Sequence, residues 1–128
     1  MANTLVLLDT SILIDYFRKK DKAKTRLYEL SDLYDGFVIS AITEFEIYSG
    51  AKNEQLLFWK QLLNEIPVIP IDSMVVETAV RLNNQLKASR KQIAIADLFI
   101  ASTAIYLTIP CASLNHKHFG RLNDLELI

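Results

Sequence analysis

The sequence is punctuated by short apolar runs of strand length: "TLVLL" (residues 4–8), "FVIS" (37–40), "PVIPI" (67–71), "CAS" (111–113) and "LELI" (125–128). They read as continuous apolar segments rather than apolar–polar alternations, as strands do when both faces of their sheet are covered. The intervals carry helical periodicity. Ala23, Leu27, Leu30 and Leu33/Tyr34 form one stripe, so a helix is expected over residues 22–34. Further helices are expected in the stretch after Asp9 and over 42–50, 56–66, 72–89 and 96–107, with Gly50 and Pro110 as stops. Strands that alternate with helices and are buried on both faces imply an α/β fold, a three-layer α/β/α sandwich around a mostly parallel sheet.

The chain has 128 residues, 51% of them hydrophobic and 23% charged, enough to bury a core; residues 1–128 read as one domain. One cysteine, Cys111, excludes an internal disulfide and suits a reducing compartment. The opening "MANTLVLLDTSILIDYF" lacks a basic leader and is interrupted by Asp9, and no segment offers eighteen clean apolar residues. A cytoplasmic, non-membrane protein is expected. The net charge of −1 supplies no global attraction for nucleic acid. "RKKDKAKTR" (18–26) nevertheless holds six basic residues and one acid, with Lys87, Arg90 and Lys91 a second cluster. Such runs are usually a solvated helix face; their other use is phosphate contact.

The acids are placed less typically. Between residues 92 and 116 the only ionised side chain is Asp97, set among Ile, Leu, Phe and Ala. Asp9 is the only charge in the first fourteen residues and ends the first strand, and between Gly36 and Ala51 the only charges are Glu44 and Glu46. Burying a carboxylate costs several kcal/mol unless a cation or good hydrogen bonds accompany it. In open parallel sheets, sites form beyond the carboxyl ends of the strands. Asp9 lies there, the helix after "FVIS" starts there, and Asp97 points there if it opens its own helix. Three converging carboxylates without a buried Lys or Arg repel one another, and a hard divalent cation with oxygen ligands, Mg²⁺ or Mn²⁺, relieves the repulsion. Each acid also has a plainer reading. Asp9 and Asp97 can be helix caps, as Asp72 is expected to be; Asp15 suits a surface ion pair with Arg18 or Lys19. His116 and His118 read as surface residues and Cys111 as a buried small hydrophobe.

Four blocks, "LLDTSILIDYFR", "SAITEFEIYSGA", "IAIADLFIASTAI" and "ASLNHKHFGRLNDLEL", together resemble PIN-domain proteins, most of all the VapC-type toxin ribonucleases of toxin–antitoxin pairs. They stand in the family's order and span almost the whole chain. The resemblance implies a metal-dependent endoribonuclease, with Asp9, Glu46 and Asp97 holding Mg²⁺ (Mn²⁺ as substitute). Glu46 is selected over Glu44 because the family's glutamate stands four residues before a glycine, here Gly50. Where many relatives carry acids in the last block, this chain has Asn115 and His118, and Ser113 precedes them; Asn115 offers an oxygen to a metal or its water but no charge. The resemblance also implies that Ser11, Thr43 and Ser113 hold the ligating carboxylates. It assigns Arg18, Lys19 and Lys20 to RNA phosphates. It further implies a homodimer and a small VapB-like antitoxin lying across the acidic site, with Leu56, Phe58, Trp59 and Leu63 as interface or core residues. The competing reading is a PIN fold that binds RNA or protein without cutting.

Overall fold

The computed structural model describes residues 4–128; the first three residues of the N-terminal leader reading lie outside it. The order of elements is β1 (Leu5–Leu8), α1 (Thr10–Arg18), a 3-10 turn (Lys22–Lys24), α2 (Arg26–Ser31), β2 (Gly36–Ser40) and α3 (Ala41–Gly50). A second 3-10 turn (Asn53–Gln55), α4 (Leu56–Asn64), β3 (Val68–Ile69), α5 (Ser73–Ala88), α6 (Ile95–Leu107), β4 (Cys111–Ala112) and α7 (His116–Phe119) follow.

The four strands form one parallel sheet in the order β3-β2-β1-β4. Leu5, Val6 and Leu7 pair with Gly36, Phe37 and Val38, while Leu7 and Leu8 also pair with Cys111 and Ala112. The chain winds outward from β1 to β3 and then crosses back to place β4 on β1's other side. The reversal lies between β1 and β4, where the connections diverge and leave a crevice at the strand ends.

Why the strands lack alternation is visible in the two cores. Leu7, Val38 and Cys111 pack with Ala79, Leu82, Leu86, Ile100 and Ala104 of α5 and α6. Val6, Leu8, Ile39 and Ala112 pack on the opposite side with Ile12, Leu13, Leu30, Ile47, Trp59 and Leu63. Successive residues of each strand thus enter different apolar layers. This is the expected three-layer α/β/α sandwich.

Two local expectations need revision, and a choice left open in α4 is decided. The helix expected over 22–34 is split, because Thr25 takes extended angles (φ −92°, ψ 156°) and caps α2 by accepting from the Tyr28 N–H. The stripe of Leu27 and Leu30 survives the break, since both side chains lie in the shorter helix. "LELI" forms no strand of its own; it adds a single parallel bridge, with Cys111 N–H donating to Glu126 O at 2.8 Å and Ile128 N–H to Cys111 O at 2.9 Å. In α4, Trp59 and Leu63 are buried core residues and Leu56 and Phe58 are half-buried; Leu57 is the one that faces out, 68% exposed. Asp72 caps α5, as expected, through Met74 and Val75 N–H. Among the described residues, no helix is long and apolar enough to cross a membrane.

Candidate metal and RNA site

Asp9 follows the last residue of β1 and is the N-cap of α1, so the plainer reading of this residue is correct as far as it goes. A cap needs no more than the 3.3 Å bond it accepts from Ser11 N–H. Asp9 takes two further bonds on the same oxygen: Ser11 Oγ and Ser113 Oγ each donate to Oδ2 at 2.7 Å. Each serine hydroxyl has spent its proton on Asp9 and accepts from the main chain, Ser11 from Leu114 N–H at 3.0 Å and Ser113 from Asn115 N–H at 2.9 Å. The turn leaving β4 is thereby tied to the carboxylate that ends β1. Asp9 is only 4% exposed, yet no Lys or Arg pairs with it among the described residues. Its charge is held by oriented hydroxyls.

Glu46 enters from α3, whose N-terminus Ser40 caps at the carboxyl end of β2. Its Oε1 accepts from Thr10 Oγ1 at 2.6 Å, and Thr10 Oγ1 lies 3.1 Å from Thr43 Oγ1. Thr43 therefore does not touch a carboxylate itself; it supports Thr10, which the sequence reading missed. Glu44 is displaced to another surface, beside Tyr48, Lys60, Leu63 and Asn64, and Glu46 is the glutamate that belongs to the crevice.

Asp97 sits in the first turn of α6, but it does not cap that helix; Ala94 stands at the N-cap without a side-chain bond. Burial is the main force raising the Asp97 carboxyl above its usual pKa, and the charges of Asp9 and Glu46 raise it further. That repulsion joins the three acids into one electrostatic unit. His118 Nδ1, 3.6 Å from Asp97 Oδ2, works in the opposite direction. His118, read from sequence as a surface residue, thus belongs to the site. Asn115 reaches the site through it: the Asn115 amide nitrogen lies 2.9 Å from the same Nδ1.

The basic run divides by role. Lys22 Nζ donates to the Phe17 and Lys19 carbonyls at 3.0 and 2.8 Å, closing the C-terminal end of α1, and lies over the Tyr16 ring. Lys19 pairs with Asp15 at 3.0 Å, the ion pair the sequence suggested, and Arg26 pairs with Glu29. Lys20 is exposed. Arg18 is placed differently: it lines a cleft of about 350 Å³ with Glu46, Ile47 and Trp59, and a second of about 490 Å³ with Thr10, Ser11 and Leu114. Cys111 is fully buried in β4, where burial pushes its thiol pKa far up, so it is inert.

The donor set fits a hard cation in charge and in atom type. Among the described residues, no three His, Cys, Asp or Glu side chains stand close enough together to grip a bare ion. Mg²⁺ asks for less, since it retains several waters and is held through one or two carboxylates.

Comparison with known proteins identifies the family. The PIN domain family profile matches residues 6–125. Ribonuclease VapC1 of Methanocaldococcus jannaschii is 39% identical over 126 residues, covering 95% of this chain and 84% of that protein. Among solved structures, VapBC2 of Rickettsia felis, bound to a promoter DNA fragment, superposes with a TM-score of 0.86 at 23% identity, covering 98% of both chains. A toxin–antitoxin complex from Klebsiella pneumoniae gives 0.77 at 26% identity, over 96% of this chain and 95% of that one. With a family match across nearly its whole length and acids gathered at the sheet's switch point, this chain belongs to the PIN domain family.

Proposed function

We propose that this protein is a divalent-metal-dependent endoribonuclease and the toxin of a two-component toxin–antitoxin pair. One observation carries the chemistry. Asp9, Glu46 and Asp97 arrive from three separate elements at one crevice, near enough for the first two to disfavour ionisation of the third, with no Lys or Arg ion-paired to any of them among the described residues. A structural role for three such acids gives no return for the repulsion, whereas a cation converts it into affinity. The relative named a ribonuclease supplies the substrate class.

Asp9, Glu46 and Asp97 would hold Mg²⁺, with Mn²⁺ as a substitute. A divalent ion there offsets charge developing on a scissile phosphate and makes a water more acidic. This chain's own part is positioning. Ser11 and Ser113 fix Asp9 by one oxygen, and Thr10 fixes Glu46 by one oxygen, so each carboxylate keeps its second oxygen for the ion or its waters. Asn115 acts through His118, at the side of Asp97. Arg18, at the mouth beside Glu46, is the basic residue best placed to take an RNA phosphate; Lys20 lies further along the same exposed segment, and Lys19 has to leave Asp15 to take part.

We assign two protein partners. A small VapB-like antitoxin follows from the toxin–antitoxin relatives; a basic side chain entering the acidic cluster would take the place of the cation's charge. A homodimer is the second, for which Val76, Val80 and Ile95, 42%, 55% and 71% exposed, supply an apolar face on α5 and α6. One observation favours a non-catalytic PIN module instead: an imidazole, not an acid, stands against Asp97. Incubating antitoxin-free protein and its Asp97→Ala variant with structured RNAs, Mg²⁺, Mn²⁺ or a chelator separates the readings. Cleavage by the wild type alone, stopped by chelation, supports the nuclease; RNA binding by both without cleavage supports the module.

A further inference from the structure

Asp9, Thr10 and Ser11 are consecutive, yet their side chains serve two different carboxylates. Ser11 donates to Asp9 within its own turn. Thr10 reaches 36 residues along the chain to Glu46, with the short 2.6 Å separation of a charge-assisted O–H···O bond. A hydroxyl carries one proton, and Thr10 has two oxygen neighbours, Glu46 Oε1 at 2.6 Å and Thr43 Oγ1 at 3.1 Å. The carboxylate is the nearer and the charged acceptor, so it takes the Thr10 proton. Thr43, fully buried in the first turns of α3, lies on the other side of the same hydroxyl, 3.1 Å away. This places the Thr10 hydroxyl, as donor, between Thr43 and Glu46 at the junction of α1 and α3.

We propose that Thr10 is a positioning residue for Glu46: its hydroxyl, braced by Thr43, selects the orientation in which Glu46 faces the ion. The case for position over mere packing is geometric. Glu46 is a long side chain on a helix flank, only partly buried, and no Lys or Arg ion pair among the described residues restrains it. A flexible carboxylate loses rotamer freedom on binding a cation, and a donor that has already fixed one oxygen removes part of that cost. Thr10 also inherits rigidity from its place immediately after Asp9, whose own orientation is set by Ser11 and Ser113. One short segment thus sets the angle between two acids drawn from different elements. This rests on reading Asp9, Glu46 and Asp97 as a cation site.

The test uses the full chain, Mn²⁺ and three variants: Thr10→Val, which keeps the shape and loses the hydroxyl; Thr10→Ser, which keeps the hydroxyl; and Thr10→Ala, in case valine perturbs folding. Mn²⁺ affinity is measured calorimetrically without RNA, and metal-free crystal structures report the Glu46 rotamer. Thr10→Val and Thr10→Ala are expected to weaken Mn²⁺ binding about 10- to 100-fold, the usual range for residues that orient a ligand, with Thr10→Ser close to wild type. Wild-type affinity in Thr10→Val, or equal losses in Val and Ser, overturns the proposal. If wild type itself binds no Mn²⁺, the cation reading has failed, and the metal-free structures decide the role of Thr10 alone. A single Glu46 orientation in wild type and Thr10→Ser that spreads in Thr10→Val supports it, and an unchanged orientation in all of them refutes it.

Discussion

The two sides of the crevice hold their acids by opposite means. On the β1–β4 side, Asp9 is nearly inaccessible and collects three hydrogen bonds, two from serine hydroxyls that are themselves oriented by main-chain N–H groups. On the α6–α7 side, Asp97 has its carboxyl pushed up by burial and by the other acids, with His118 3.6 Å away as its compensation. Charge on the first side is stabilised before any ligand arrives; on the second it is held at a cost that a cation removes. Under the proposed function the difference divides the work: Asp9 would define where an ion sits, and Asp97 would make the site favour one.

Removing either acid should have the largest effect. Asp9→Asn and Asp97→Asn are each expected to reduce RNA cleavage on the order of 1,000-fold, since the ion's contribution to such chemistry is several kcal/mol. Single-turnover rates at saturating RNA measure this. The two variants should part company in stability. For Asp97, the pKa is raised in the folded state, so the folded protein binds its proton more tightly than the unfolded chain does. Stability therefore falls as pH rises from the ordinary carboxylate value through the raised one, and the penalty is fully present above it. Metal-free Asp97→Asn should accordingly melt higher than wild type at pH 7, with the advantage shrinking as pH falls toward 4. Asp9→Asn, which trades a well-bonded carboxylate for an amide among three donors, should melt lower. Thermal melts across pH compare them; a lower melting temperature for both at pH 7 breaks the contrast.

Smaller effects test the supports. Ser113→Ala removes one of the two hydroxyl donors to Asp9 and leaves Asn115 N–H without its acceptor. It should cost about 1–3 kcal/mol of stability by denaturant unfolding and about 10- to 100-fold in Mn²⁺ affinity by calorimetry. Arg18→Ala should be milder still, raising KM several-fold at low salt with kcat little changed, and losing that effect as salt is raised. A fall in kcat alone would place Arg18 in the chemistry instead.

The acids were legible in the sequence because charge is rare in apolar segments. Asp9, Asp97 and the pair Glu44 and Glu46 stood out for that reason, the strand-end rule suggested one rim for them, and the family resemblance chose Glu46 from the pair. The sheet was legible because its strands are buried on both faces, which leaves continuous apolar runs. What escaped is short or distant. Thr10 stands between Asp9 and Ser11 at the start of α1, and nothing local to "DTS" reveals a partner 36 residues away. His118 reads locally as a surface histidine and was marked only by the resemblance, as standing where many relatives carry an acid; the docking of α7 beside α6 is what brings it to Asp97. Thr25 split a helix that its apolar stripe predicted, because a threonine cap competes locally with helical hydrogen bonding. The choice between interface and core in α4 stayed open for a related reason: periodicity identifies a stripe but not which layer covers it, and the structure puts Trp59 and Leu63 in the core.

Mn²⁺ binding to the RNA-free, antitoxin-free protein asks about the three acids without requiring the right RNA. Titration of wild type alongside Asp9→Asn, Glu46→Gln and Asp97→Asn should show saturable binding that each substitution weakens at least tenfold, Asp97→Asn most clearly as pH rises to 8. Binding that persists unchanged in all three variants, or no binding to wild type at any pH between 6 and 8, would contradict this reading.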